Sequence, residues 1–245
     1  MKTLLCTSLA ALLLASAAPA MAQHPDDPGL AIAMAVADER RPEADTARDS
    51  LRKPADIVEF AGVEPGMVIA EIAPGGGYYT RILAASVGPE GKVYALMPAM
   101  FASRPGGLDA INAIAAEYGN VEVVLVEDYA SLALPEQIDL FWTTENYHDL
   151  VNRDIAPVNA AVARALKPGG FYFVEDHDAP GTGISATSTI HRIDPMAVIA
   201  QVTAAGLLLE ATSDLLANPD DPRNVGPGDV EPTSAKFALR FVKPD

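Results

Sequence analysis

Three of the four histidines in this 245-residue chain sit in short polar clusters that follow apolar runs. His148 and Asp149 lie in "TTENYHDL" (143–150), His177 in "VEDHDAPG" (174–181) and His191 in "HRID" (191–194). An unperturbed imidazole titrates near pH 6.5, so a histidine beside a carboxylate can serve as a general base at neutral pH. His148, His177 and Asp149 are therefore the candidate catalytic residues, with Glu175 and Asp176 close by in sequence. Two other uses stay open. His148 and Asp149 can cap the following helix and bind backbone, or two histidines and up to four carboxylates can form a mixed N/O metal site. No H-x-x-x-H or similarly close pairing supports the metal, and none is expected.

The second informative stretch is "EIAPGGGYYT" (71–80), three glycines between an apolar run and two tyrosines. Gly75, Gly76 and Gly77 permit a tight turn with positive φ and let a ligand touch the backbone. A helix starting near Tyr78 aims free N–H groups at that ligand and favours a carboxylate or phosphate. The alternative is a plain strand-to-helix turn. A phosphate-binding P-loop would need a Gly-Lys-Ser/Thr ending, and a dinucleotide loop would need glycine where Thr80 stands. A ribose-binding acid should also close the second strand, but Leu96, Met97 and Pro98 occupy that place. Tyr79, in the first turn after the glycines, can lie along a ligand, whereas Trp142 suits core packing.

These residues need elements to hold them. Apolar strands are expected at 68–72, 92–96, 121–126, 138–143 and 171–176, alternating with helices at 54–63, 78–87, 107–118, 156–166 and 195–206. That alternation predicts an α/β fold, a Rossmann-like, mostly parallel sheet covered by helices on both faces. Two last strands, 207–216 and 236–242, follow one another with a loop too poor in apolar residues to be a crossover helix. The seventh strand should therefore return antiparallel. Ligands of such sheets bind outside the carboxyl ends of the strands, which is where the glycine loop and the histidine clusters fall.

The ends and the charge limit the function further. Residues 1–22 read as a signal peptide: Lys2, an apolar stretch from Leu4 to about Ala18, and the A-x-A site Ala20-Met21-Ala22. The apolar stretch is shorter than the roughly 20 residues a membrane span needs. A periplasmic or secreted chain starting at Gln23 is expected, with no stable membrane insertion after cleavage. Its N-terminal helical arm covers 23–53 and its domain 54–245. Cys6 is the sole cysteine, so the mature chain can form no disulfide. Removing Lys2 leaves 16 basic against 33 acidic residues, a formal charge of −17. Nucleic acid and anionic membrane are thereby poor partners, and a small-molecule substrate is expected.

The segments "RKPADIVEFAGVEPGMVIAEIAPGGGYYT", "NYHDL", "ALKPGGFYFVEDH" and "HRIDP" resemble the class I S-adenosylmethionine-dependent methyltransferases. They look most like an exported bacterial branch, and the resemblance covers nearly the whole mature chain. It implies a seven-stranded sheet with an antiparallel last strand and S-adenosylmethionine as cofactor. It also implies cofactor-binding roles for Glu71 near the methionine amino group, Gly75 and Gly77 in the loop, and Asp128 at the adenine. The chain departs from the family at the end of the second strand, where the ribose-binding acid is missing. The implied activity is methyl transfer to a small molecule. The alternative is an exported, non-catalytic small-molecule-binding protein on the same fold.

Overall fold

The computed structural model describes residues 24–245, so the expected signal peptide and its cleavage site lie outside the described residues. Seven strands form one sheet: β1 (Val68–Ile72), β2 (Lys92–Pro98), β3 (Val121–Val126), β4 (Ile138–Thr144), β5 (Leu166–His177), β6 (Leu208–Ser213) and β7 (Lys236–Val242). Their order is β3-β2-β1-β4-β5-β7-β6. β1 to β5 run parallel, and β7 inserts antiparallel between β5 and β6. The order reverses at β1, between β2 and β4, so the crevice beyond β1 is the topological switch point.

The helices are α1 (Pro28–Val36), α2 (Glu43–Thr46), α3 (Asp49–Arg52), α4 (Pro54–Ala61), α5 (Tyr78–Val87), α6 (Asp109–Tyr118), α7 (Tyr147–Val151), α8 (Ile155–Ala165), α9 (Thr187–Ile190) and α10 (Pro195–Ala204). Strand side chains alternate between two apolar layers. Ile69, Val93, Leu140, Trp142 and Phe173 pack toward α1, α4, α5 and α6. Ala70, Ile72, Tyr94, Phe141 and Tyr172 pack toward α7, α8 and α10. Large apolar side chains buried this fully contribute about 1.5–3 kcal/mol each, so the two layers fix which strand ends meet. Ile32 and Ala35 of α1 lie inside the first layer. Among the described residues no helix is long and apolar enough to cross a membrane.

β5 differs from the expected 171–176. It begins at Leu166 and runs through "KPGG", expected to be only the stop of the preceding helix. The register with β4 shifts between Ile138 and Leu140. Gly169 has φ +73°, and a Cβ on Gly170 would meet the carbonyl oxygens of Lys167 and Asp139 at 2.9 and 3.0 Å. The two glycines thus make a bulge inside a continuous strand. The expected sixth strand shortens to Leu208–Ser213, at the sheet edge beside β7.

Candidate active site

At the switch point the chain leaves β1 through Ala73, which has φ 49°, and its N–H donates to the Leu96 carbonyl (3.0 Å). Asn146 ties the neighbouring loop to it by donating from Nδ2 to the Ile72 carbonyl (2.9 Å). Ala73 and Asn146 are shared walls of two cavities. One, of about 300 Å³, lies against Glu71, Gly75, Gly76, Arg48, Arg52 and Glu145. The other, of about 710 Å³, lies against Pro98, Phe101, Asp128, Asp149 and Leu150. The two cavities adjoin at these residues along the carboxyl ends of the strands, and are together called the crevice.

The three glycines divide between two tasks. A Cβ on Gly75 or Gly76 would meet nothing within 4 Å, and both residues line the smaller cavity. Gly77 was expected to leave room for the ligand as well, and the structure corrects this. Its φ is +80°, and a Cβ there would stand 2.1 Å from the Ile114 side chain in the core. Gly77 is bare because it starts α5 in a left-handed conformation against α6.

Glu71, one residue before the end of β1, has its side chain buried beside this loop. Burial pushes its carboxyl up to about 7, against the lowering effect of the hydrogen bond that the Thr80 hydroxyl donates at 2.5 Å. Tyr79 borders the same cavity, but its ring centroid lies 4.9 Å from that of Trp142 in the core. It is less free to lie along a ligand than its position in the first turn suggests. Tyr78 is likewise buried, donating its hydroxyl to Asp49 at 2.6 Å. Asp128 lines the wider cavity, and its carboxylate also accepts from the Ala130 N–H (3.0 Å). At the end of β2, Leu96 and Met97 are buried and Pro98 borders the crevice.

The other side of the site is built from charges. Glu145, in the left-handed region at φ 55°, accepts from Arg52 (2.8 Å) and pairs with Lys236 (2.7 Å). Burial pushes the Glu145 carboxyl up, but Lys236 and Arg52 outweigh this and hold it below the usual range. Glu175 is fully buried 3.7 Å from the same lysine, and burial, reinforced by the charge of Glu145, pushes its carboxyl up. Lys236 comes from β7 and Arg52 from α3, far from "TTENYHDL" in sequence. Only the antiparallel pairing of β5 with β7 brings Lys236 to that place.

The histidines gather around Asp176. This buried carboxylate accepts from the backbone N–H of His148 (2.7 Å) and of His177 (2.7 Å), and bonds His148 Nδ1 (2.8 Å). Burial lowers the His148 pKa, but Asp176 outweighs it and the net shift is upward. His177 Nδ1 bonds the Ser234 hydroxyl (2.8 Å), and burial lowers its pKa to about 4, so it is neutral at neutral pH. The two rings lie 6.1 Å apart. They were expected to border one cavity with the glycines, but neither imidazole lines the cavity at Gly75 and Gly76. His177 instead borders an adjoining cavity of about 310 Å³ with Arg52, Glu145, Ser234 and Lys236. His148 reaches outward through Nε2, toward Asp149 (3.6 Å) on the rim of the wider cavity. Nε2 can there accept a proton or offer a lone pair.

No family model and no curated protein matches the sequence. Solved structures do match the fold. An S-adenosylmethionine-dependent methyltransferase from Aquifex aeolicus superposes with a TM-score of 0.60 at 18% identity, over 88% of this chain and 98% of its own. The [4+2]-cyclase SpnF gives 0.58 at 16% identity, over 78% and 82% of the two chains. Fibrillarin from Aeropyrum pernix, solved with natively bound S-adenosyl-L-methionine, gives 0.50 at 16% identity, over 76% and 73%.

Proposed function

Because the chain has the class I S-adenosylmethionine-dependent methyltransferase fold, we propose that its crevice binds S-adenosylmethionine and transfers the methyl group to a small molecule. The observation that carries this reading is the open backbone of Gly75 and Gly76 at the switch point, in a cavity that shares Ala73 and Asn146 with a wider one lined by Asp128. Glu71 would hold the amino group of the methionine end, and Arg48 and Arg52 supply positive charge for its carboxylate. Asp128 would accept from the adenine amino group. The sulfonium of the cofactor supplies an activated methyl group, and the chain positions the acceptor against it. Without an acid at the end of β2, the ribose depends on backbone and shape.

His148 is assigned as the proton acceptor for an oxygen or nitrogen nucleophile. Asp176 on Nδ1 fixes the ring so that Nε2 points to Asp149, which lines the wider cavity. The fold alone does not choose the reaction, as the cyclase on the same scaffold illustrates. The chain is also proposed to act outside the cytoplasm, supported by the sequence of residues 1–22. Mass spectrometry of protein from its native host should find Gln23 first, and a retained Met1 would refute export with cleavage.

Calorimetry of the mature chain with S-adenosylmethionine and S-adenosylhomocysteine tests the cofactor. One-site binding is expected for both, and Gly76→Val should weaken it without unfolding the protein. Absence of heat with either compound at millimolar concentration would sink the proposal.

A further inference from the structure

We propose that His148, Asp149 and His191 form a binding site for one divalent transition-metal cation of the Zn²⁺ type, with Asp176 as positioning residue. Among the described residues this is a group whose donor atoms come together, all within 4.8 Å of one another. Asp149 Oδ1 stands 3.6 Å from His148 Nε2 and 3.7 Å from His191 Nδ1. Donors about 2.0–2.1 Å from a tetrahedral zinc lie about 3.3 Å apart, so a small closure of side chains completes the geometry. Two imidazoles and one carboxylate suit Zn²⁺ and its neighbours better than Ca²⁺ or Mg²⁺, which prefer oxygen ligands.

Three features of the surroundings support a built site. The buried Asp176 holds His148 Nδ1, so Nε2 is the nitrogen left to a cation. A carboxylate behind a ligating histidine is the usual way its ring is oriented and its basicity raised. His191 is held at φ 53°, a conformation uncommon for residues other than glycine. Its neighbours explain why it is held there. Arg192 is fully buried on Asp221 (2.9 Å), Ile193 is buried, and Asp194 caps α10, so "HRID" is anchored at every position except the imidazole. Finally, the His191 and Asp149 side chains are each 60% exposed, which leaves the fourth position open to solvent or a ligand. The pairing escapes sequence inspection because "NYHDL" and "HRID" stand more than 40 residues apart.

Binding of the cation needs only these side chains and stands whether or not the crevice takes S-adenosylmethionine. One consequence rests on the proposed function. Nε2 cannot hold a cation and accept a proton together, so the cation would inhibit any transfer that uses His148 as base.

The test uses tag-free mature protein, since an affinity tag of histidines would mask the signal. After treatment with EDTA, Zn²⁺ is titrated calorimetrically at neutral pH. One equivalent is expected to bind, His191→Ala and Asp149→Asn should each weaken binding at least tenfold, and Asp176→Asn should weaken it roughly 10–100-fold. Thermal melts of the two rim variants, both at exposed side chains, confirm that they fold. No stoichiometric binding by the parent protein, or unchanged affinity in His191→Ala, overturns the site. A lack of cofactor binding in the separate titration leaves this result untouched, so the two failures are distinguishable.

Discussion

The two sides of the crevice solve the same problem with opposite materials. On the β1 side, bare backbone makes room: Gly75 and Gly76 border open space, and the Glu71 carboxyl is buried beside them. On the β4–β5–β7 side, Arg52, Glu145, Glu175, Lys236 and Asp176 crowd together, and the shape depends on their mutual neutralisation. A glycine loop tolerates a ligand because it presents little that must be desolvated. A buried charge network holds position firmly but fails when one member is lost. The first side is thus suited to receive a group and the second to orient one.

The sharpest break in this contrast lies inside the glycine loop. Gly77→Val combines a clash with Ile114 and a β-branched residue at φ +80°. Overpacking costs about 1–3 kcal/mol and the strained backbone a similar amount, so a loss of about 4 kcal/mol is expected in urea unfolding. A folded, fully stable variant that merely fails to bind ligand would return Gly77 to the ligand side.

Next in size is Lys236→Met, which leaves Glu145 with Arg52 alone and Glu175 with no lysine. Removing one partner from a buried pair costs about 3–5 kcal/mol, reduced here to about 3 because Glu145 is partly exposed. The deficit should shrink in mild acid, where Glu145 protonates once its lysine is gone. Equal deficits across that range would mean that the lysine contributes packing rather than charge.

Glu71 gives a smaller effect, and one with a definite sign. Its folded pKa of about 7 lies above the ordinary value of 4.5, so the folded state binds the extra proton. Its contribution therefore favours folding at low pH and is lost as pH rises from about 4.5 through 7. Relative to the parent, Glu71→Gln should gain roughly 2–3 kcal/mol between these limits, because each pH unit separating the folded and unfolded pKa is worth about 1.36 kcal/mol. A difference independent of pH would show that the Glu71 carboxyl titrates at the same pH in the folded and unfolded chain. Glu175 shifts the same way but remains in both proteins and cancels.

The least effect on stability is expected for Gly76→Ala. Its added methyl meets nothing within 4 Å, so unfolding should change by less than about 1 kcal/mol. Affinity for S-adenosylhomocysteine should nevertheless fall, by roughly tenfold. If stability drops instead, the open space at Gly76 serves the turn, and the two sides of the crevice are less different than they look.

Periodicity and turn chemistry were enough to place most of the elements. "VIAEI", "VEVVLV" and "KFALRFV" are strands because β-branched and aromatic residues fill them, and Pro54 and Pro195 open helices as their position predicts. The seven-strand count and the antiparallel return of β7 follow from the same local signals. Glu71 and the glycine loop were visible too, because strand, turn and helix adjoin one another in sequence. What spacing could not supply was everything assembled across the sheet. Gly75 and Gly77 look equivalent in sequence, and only the Ile114 side chain from α6 separates them. Asp176 stands near the histidine clusters in sequence, but only the packing of β5 buries it against His148. Lys236 reaches Glu145 through the antiparallel pairing of β7, and His191 reaches Asp149 through the anchoring of Arg192. Local residue preferences act over a few positions and are written in order along the chain. Side-chain partnership depends on burial and strand register, which exist only once the sheet has formed.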